Sequence, residues 1–158
     1  MKYILSFLFC FSFLIQAQTI DPLKVAVLDQ DAQQKWVDSI YSSLTLDEKV
    51  GQLFMHMVFT EKDSLHYKQT MTLVKEQKVG GLIFSLGGPV EQSHWLNEFQ
   101  SEAKTPLLIA MDAEWGVAMR LDSVQAFPWP MTLGAVKDSL LLRKIGRRMG
   151  EQEKRLGI

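Results

Sequence analysis

Residues 105–121 read "TPLLIAMDAEWGVAMRL". A proline is followed by the apolar run 107–111, with no polar residue alternating through it. A short continuous run of this kind describes a strand covered on both faces, as in a parallel sheet. It ends at Asp112 and Glu114, with Trp115, Gly116 and Arg120 close behind. In parallel α/β sheets, ligand-binding groups stand just beyond the carboxyl ends of strands, which is where this loop falls.

Working outward, "LFMHMV" and "GLIFSL" predict two more buried strands, near residues 53–58 and 81–86, beside the one at 107–111. Helices are expected between them. Trp36, Ile40 and Leu44 recur at helical spacing from Gln33, with Val37 beside them. In "TLDEKVGQL", Thr45 and Glu48 have the spacing of a capping box, ahead of a buried stripe of Leu46, Val50, Leu53 and Phe54. A helix over residues 62–78 puts Tyr67, Met71 and Val74 on one face, and Gly80 suits the left-handed position after it. Pro89 suits the first turn of a helix carrying Trp95, Phe99 and Ala103 on one face. An irregular stretch with two prolines in "FPWPMTLGA" runs to about Lys137. Asp138 then caps a last helix, with Leu142, Ile145 and Met149 inward. Met55, Met57 and Phe59 are core candidates.

Strand–helix alternation of this kind means βα units on a parallel sheet: an open doubly wound sheet or part of a (β/α)8 barrel. A whole barrel needs about 250 residues, and this chain has 158. The terminal helix followed by "LGI" looks like the approach to a further strand. The fold class expected is therefore α/β, the N-terminal part of an incomplete barrel.

The N-terminus has a different character. "MKYILSFLFCFSFLIQAQ" places Lys2 before an apolar block over residues 3–15, with the small Ala17 after it. That order describes a secretory signal peptide over residues 1–17, and the block is shorter than the ~20 residues of a membrane span. Residues 18–34 are a lead-in to a domain at 35–158. Phe9 before Cys10 argues against a lipoprotein site. Cleavage would remove Lys2 and the only cysteine, taking the formal net charge from −1 to −2 and leaving no thiol. The expected location is periplasmic or extracellular, with no stable membrane span after cleavage. Near-neutral charge gives no nucleic-acid footprint; the basic residues 143–155 are interleaved with Glu151 and Glu153, as on a solvated helix face.

Spacing alone leaves the two carboxylates open. In extended geometry Asp112 and Glu114 share a face at roughly 7 Å. That suits an acid/base pair of an inverting glycosidase, half of a divalent cation site, or an ion pair of Glu114 with Arg120 while Asp112 caps the loop.

"TLDEKVGQLFM", "VGGLIFSLGG", "TPLLIAMDAEWGVAMRL" and "FPWPMTLGA" together resemble, in order and context, the start of glycoside hydrolase family 3 catalytic domains. The resemblance covers roughly residues 35–158. The β-glucosidase type of that family has a pattern like D-x-x-H-G, and the β-N-acetylglucosaminidase type has D-x-E-G-G-x-V-x-R. Asp112, Glu114, Gly116 and Arg120 fall on the second pattern; Trp115 and Ala118 depart from it. The resemblance implies a substrate-binding role for Asp112, which would accept hydrogen bonds from hydroxyls of the terminal sugar, and for Arg120, a donor in the same subsite. Trp115 is a candidate sugar-stacking wall or a buried anchor. It further implies retaining hydrolysis without cofactor or metal, on a β-linked N-acetylglucosaminide or glucoside.

The family's nucleophile, a later aspartate, and its mobile histidine loop have no counterpart here, so no catalytic residue is expected among these positions. The chain alone is expected to be inactive and, as an open half barrel, prone to associate. His56, His66 and His94 have neither the loop's context nor zinc-ligand spacing and are expected to be a strand residue and two helix-surface residues. The segment at Phe127, Pro128, Trp129 and Pro130 is expected to fix a loop. A β-glucosidase, or a non-catalytic exported sugar-binding protein using Asp112, Arg120 and Trp115 as contacts, is the alternative.

Overall fold

The computed structural model describes residues 30–158; the signal-peptide expectation and most of the lead-in lie outside the described residues. Helix α1 spans Gln30–Ser43, and the chain divides into a first unit up to Asp38 and a second, Ser39–Ile158. The helical spacing read from Gln33 is met; Trp36 and Val37 on that helix are exposed, and Leu44 is buried just past its end.

Within the second unit the order is α2 (Leu46–Gly51), β1 (Met55–Val58), α3 (Ser64–Lys75), β2 (Gly81–Phe84), α4 (Pro89–Glu102) and β3 (Leu108–Met111). A 3₁₀ turn (Val117–Met119), α5 (Pro130–Gly134) and α6 (Ser139–Arg155) follow. The strands form one parallel sheet in the order β1-β2-β3, in register Val58↔Phe84 and Phe84↔Met111. This is the expected α/β architecture, with shorter strands.

Local chemistry sets the helix ends. Thr45 and Glu48 form the capping box, and Lys104 Nζ donates to both Glu48 carboxylate oxygens at 2.9 Å, holding that carboxyl below its ordinary range. Asp63 caps α3 and Asp138 caps α6 through backbone N–H groups two and three residues on. After α3 it is Lys78, not Gly80, that takes the left-handed conformation, at φ 51°. Gly80 is required for a different reason: a Cβ there would sit 2.1 Å from the carbonyl oxygen of Gln52. In the supposedly irregular stretch, Pro130 opens the short helix α5, since a first-turn proline needs no N–H partner.

One face of the sheet carries the core. Val58, Leu82, Phe84, Leu107 and Ile109 pack under Val74 of α3 and Trp95, Leu96 and Phe99 of α4. Tyr67 stacks on Phe99 at 5.3 Å between centroids and meets Trp95 edge-on at 5.1 Å. The other face stays open: Leu108 is 68% exposed, Met57 47% and Met55 44%. The expectations of strands covered on both faces and of Met55 and Met57 in the core are therefore not met. The stripe Leu46, Val50, Leu53 and Phe54 is exposed as well. Their apolar character suits a buried setting, but no described element covers them. Phe59 is half-buried.

His66 is not a surface residue. It is half-buried, its Nε2 accepts the Phe59 N–H at 3.1 Å, and its ring lies 5.8 Å from that of His56. His56 Nε2 is buried with no hydrogen-bond partner among the described residues. Burial pushes both imidazoles below their ordinary value, helped by Lys62 and, for His56, by His66; Asp63 opposes the shift at His66. The folded state thus binds fewer protons than the unfolded chain as pH falls through about 6.5. The histidine contribution is complete above that value and is lost as pH falls toward the folded pKa. Thermal unfolding at about pH 7.5 and about pH 5.5 should show a smaller drop in Tm for His56→Gln than for the wild type. Equal drops would remove His56 from this account.

Candidate functional site

The site is built on the loop leaving β3. Met111 closes the strand against the core, and Asp112 emerges at its carboxyl end. Gly116 then turns the chain at φ +91°, and a Cβ there would lie 3.0 Å from the Phe127 ring, so a larger residue would be strained and crowded. Val117 and Leu121 are buried against Leu156, and Met111, Val124 and Ile158 pack around them. Leu121 also bridges to Gly87, and the Asp122 N–H donates to the Gly87 carbonyl at 3.1 Å. These anchors bend residues 112–121 back over the strand end.

The fold-back brings Arg120 onto Asp112. Arg120 Nη2 forms an ion pair with Asp112 Oδ2, and its Nε donates to the Asp112 carbonyl at 3.1 Å. One guanidinium therefore grips both the side chain and the backbone of one residue. The Arg120 side chain is 26% exposed and that of Asp112 47%, so the pair is open to a ligand. Glu114, by contrast, is exposed and makes no ion pair with Arg120, which rules out the pairing that spacing allowed. Among the described residues no cluster of three or more His, Cys, Asp or Glu could hold a metal ion.

Trp115 is half-buried, and its ring lies 5.9 Å from that of Trp129, tilted by 37°. Spacing gave no sign of this pairing, because thirteen residues, 116–128, separate the two with no regular repeat joining them. The available signal was a tryptophan between two prolines, a rigid setting for an aromatic side chain. A cavity of about 500 Å³ lies elsewhere, lined by Val50, Phe54, Met55 and His56 among others, and none of its walls comes from residues 112–130.

The chain belongs to glycosyl hydrolase family 3: the N-terminal domain of that family matches residues 45–158. Over 124 residues it is 27% identical to a "Beta-N-acetylglucosaminidase/beta-glucosidase" of Cellulomonas fimi, covering 78% of this chain and 21% of that relative's length. Two solved structures are similar as well. "Beta-glucoside phosphorylase BglX bound to 2FGlc" matches at 25% identity and TM-score 0.48, over 56% of this chain and 15% of that one. "Beta-glucoside phosphorylase BglX" matches at 26% and 0.44, over 56% and 14%.

Because the Asp112–Arg120 pair is solvent-accessible, it should contribute little to stability. Arg120→Met should change the unfolding free energy by no more than about 1 kcal/mol. Val117→Ala, which hollows the anchor under the loop, should cost about 1–3 kcal/mol. Denaturant titrations of both variants check this, and the reverse order would mean that the ion pair, not the apolar anchor, holds the loop.

Proposed function

We propose that the protein carrying this domain is an exported retaining glycosidase that removes terminal β-linked N-acetylhexosamine residues, with residues 112–120 as its sugar clamp. The observation that carries this reading is the Arg120–Asp112 pair at the carboxyl end of β3. Arg120 neutralises one side of the carboxylate and fixes its direction, leaving acceptor capacity for sugar hydroxyls. Hydrogen bonds to an ionised carboxylate are stronger than neutral ones. Holding the ring in one orientation lowers the barrier to displacement at its anomeric carbon. Trp115 offers an apolar wall to the same sugar.

Neither Asp112 nor Arg120 performs the covalent step. In retaining hydrolysis a carboxylate displaces the leaving group to form a glycosyl-enzyme, which water then cleaves. The chain spans 21% of the length of the Cellulomonas fimi relative, and we assign that step to residues other than these, so residues 1–158 alone should not turn over substrate. The preference for N-acetylhexosamine rests on Asp112, Glu114 and Arg120 in the pattern of that subgroup, and export rests on Lys2 and the apolar block after it.

The test uses the protein expressed from its whole reading frame, assayed on 4-nitrophenyl N-acetyl-β-glucosaminide and 4-nitrophenyl β-glucoside. We expect the first to be preferred, the activity to be found outside the cytoplasm, and Asp112→Asn to lower kcat/KM by about a hundredfold. Preference for the glucoside would reverse the subgroup assignment. Absence of turnover on both would reject the hydrolase reading, and turnover by residues 1–158 alone would show that the covalent chemistry lies within them.

A further inference from the structure

We propose that His66 is a positioning residue for the Asp112–Arg120 pair: its neutral imidazole latches the loop after β1, and that loop braces the one carrying Arg120. The inference rests on the proposed sugar clamp and extends it to pH dependence. His66 stands in the first turn of α3, where its backbone N–H donates to Asp63 Oδ1 at 3.2 Å. From this fixed base its Nε2 accepts the Phe59 N–H at 3.1 Å. The next residue, Thr60, is buried, and its N–H donates to the Leu86 carbonyl at 2.8 Å. Gly87 follows at φ +138°, packed so closely that a Cβ there would lie 1.9 Å from Thr60 Oγ1. Gly87 in turn bridges to Leu121, the neighbour of Arg120, and accepts the Asp122 N–H at 3.1 Å.

Contacts therefore run without a gap from the imidazole to the clamp, and the approach at Gly87 is too tight to absorb a shift of Thr60. Coupling needs such a contiguous network and an element with two states. The imidazole supplies the two states. Neutral, it has one lone pair for the Phe59 N–H; protonated, both its nitrogens are donors and that hydrogen bond cannot exist. Around the ring stand His56 of β1 at 5.8 Å, Lys62 and the capping Asp63. From α4 comes Trp95 at 6.4 Å, whose indole N–H donates to Glu91. Burial and Lys62 hold the imidazole below its ordinary value, against Asp63. The latch is thus closed at neutral pH and opens as pH falls below about 6.5.

Glutamine carries an amide oxygen that can take the place of Nε2 as acceptor but does not titrate, and leucine accepts nothing. With the whole-reading-frame protein, kcat/KM is measured at about pH 7.5 and about pH 5 on whichever 4-nitrophenyl β-glycoside the wild type cleaves. His66→Leu should lower the value at the higher pH about tenfold, and His66→Gln should restore most of it. The ratio of His66→Gln to wild type should rise about threefold on acidification. An unchanged ratio would overturn the inference, as would a His66→Gln no better than His66→Leu. Amide hydrogen exchange, corrected for intrinsic rates, gives a readout that needs no turnover. Acid should lower protection over residues 59–60, 86–87 and 120–122 in the wild type but not in His66→Gln; equal changes in both would overturn the latch. If His66→Leu does not fold, the glutamine ratio and the exchange decide. A wild type without turnover on any β-glycoside fails at the hydrolase reading, and the exchange alone then decides the latch.

Discussion

Phe99 has no exposed surface, and the stack of Tyr67 on it, with Trp95 against both, fastens α3 and α4 to the sheet. Burying one such side chain contributes about 1.5–3 kcal/mol, and this aromatic group closes the core over Val58, Leu82, Phe84 and Ile109. The fixed sheet gives β3 a defined end. From there the geometry passes to a second, smaller core, in which Val117, Leu121 and Leu156 fold the loop back until Arg120 reaches Asp112. The Asp112–Arg120 contact thus depends on apolar packing set apart from it.

The parts legible in the sequence were those governed by neighbours close in the chain. The capping box at Thr45 and Glu48, the cap at Asp138, and the first-turn proline at Pro89 are local chemistry, and the structure contains each of them. Apolar runs gave the strand positions to within two residues, and their alternation with helices gave a parallel sheet. Sequence pattern could not tell which apolar residues have something to pack against. Leu46, Leu53, Met55 and Leu108 are apolar enough for a core yet exposed here, because burial depends on what covers a face. In a closed barrel the open face of this sheet would be filled by interior side chains. Lys78 and Gly80 show a related limit: glycine was assigned to the turn, but the close approach of the Gln52 carbonyl needs it more.

At the site, Asp112 and Arg120 were found through their spacing relative to a family pattern, and the fold brings them into contact. The same spacing allowed Glu114 to compete for Arg120, and the folded loop, turned at Gly116 and anchored by Val117 and Leu121, puts Arg120 on Asp112. The Trp115–Trp129 pair and the His56–His66 pair were not legible, since each joins segments through tertiary packing. What the sequence presented as two carboxylates ready for acid/base work is, in the folded chain, one carboxylate held by an arginine and one left in solvent.

The central claim is that Asp112 holds the sugar and does not attack it. A 2-deoxy-2-fluoro glycoside with a good leaving group traps the nucleophile of a retaining glycosidase as a stable glycosyl-enzyme. Peptide mapping by mass spectrometry of the trapped whole protein then locates the labelled carboxylate. The account predicts no label on the peptide that contains Asp112 and Glu114; a fluoroglycosyl adduct on either residue would contradict it.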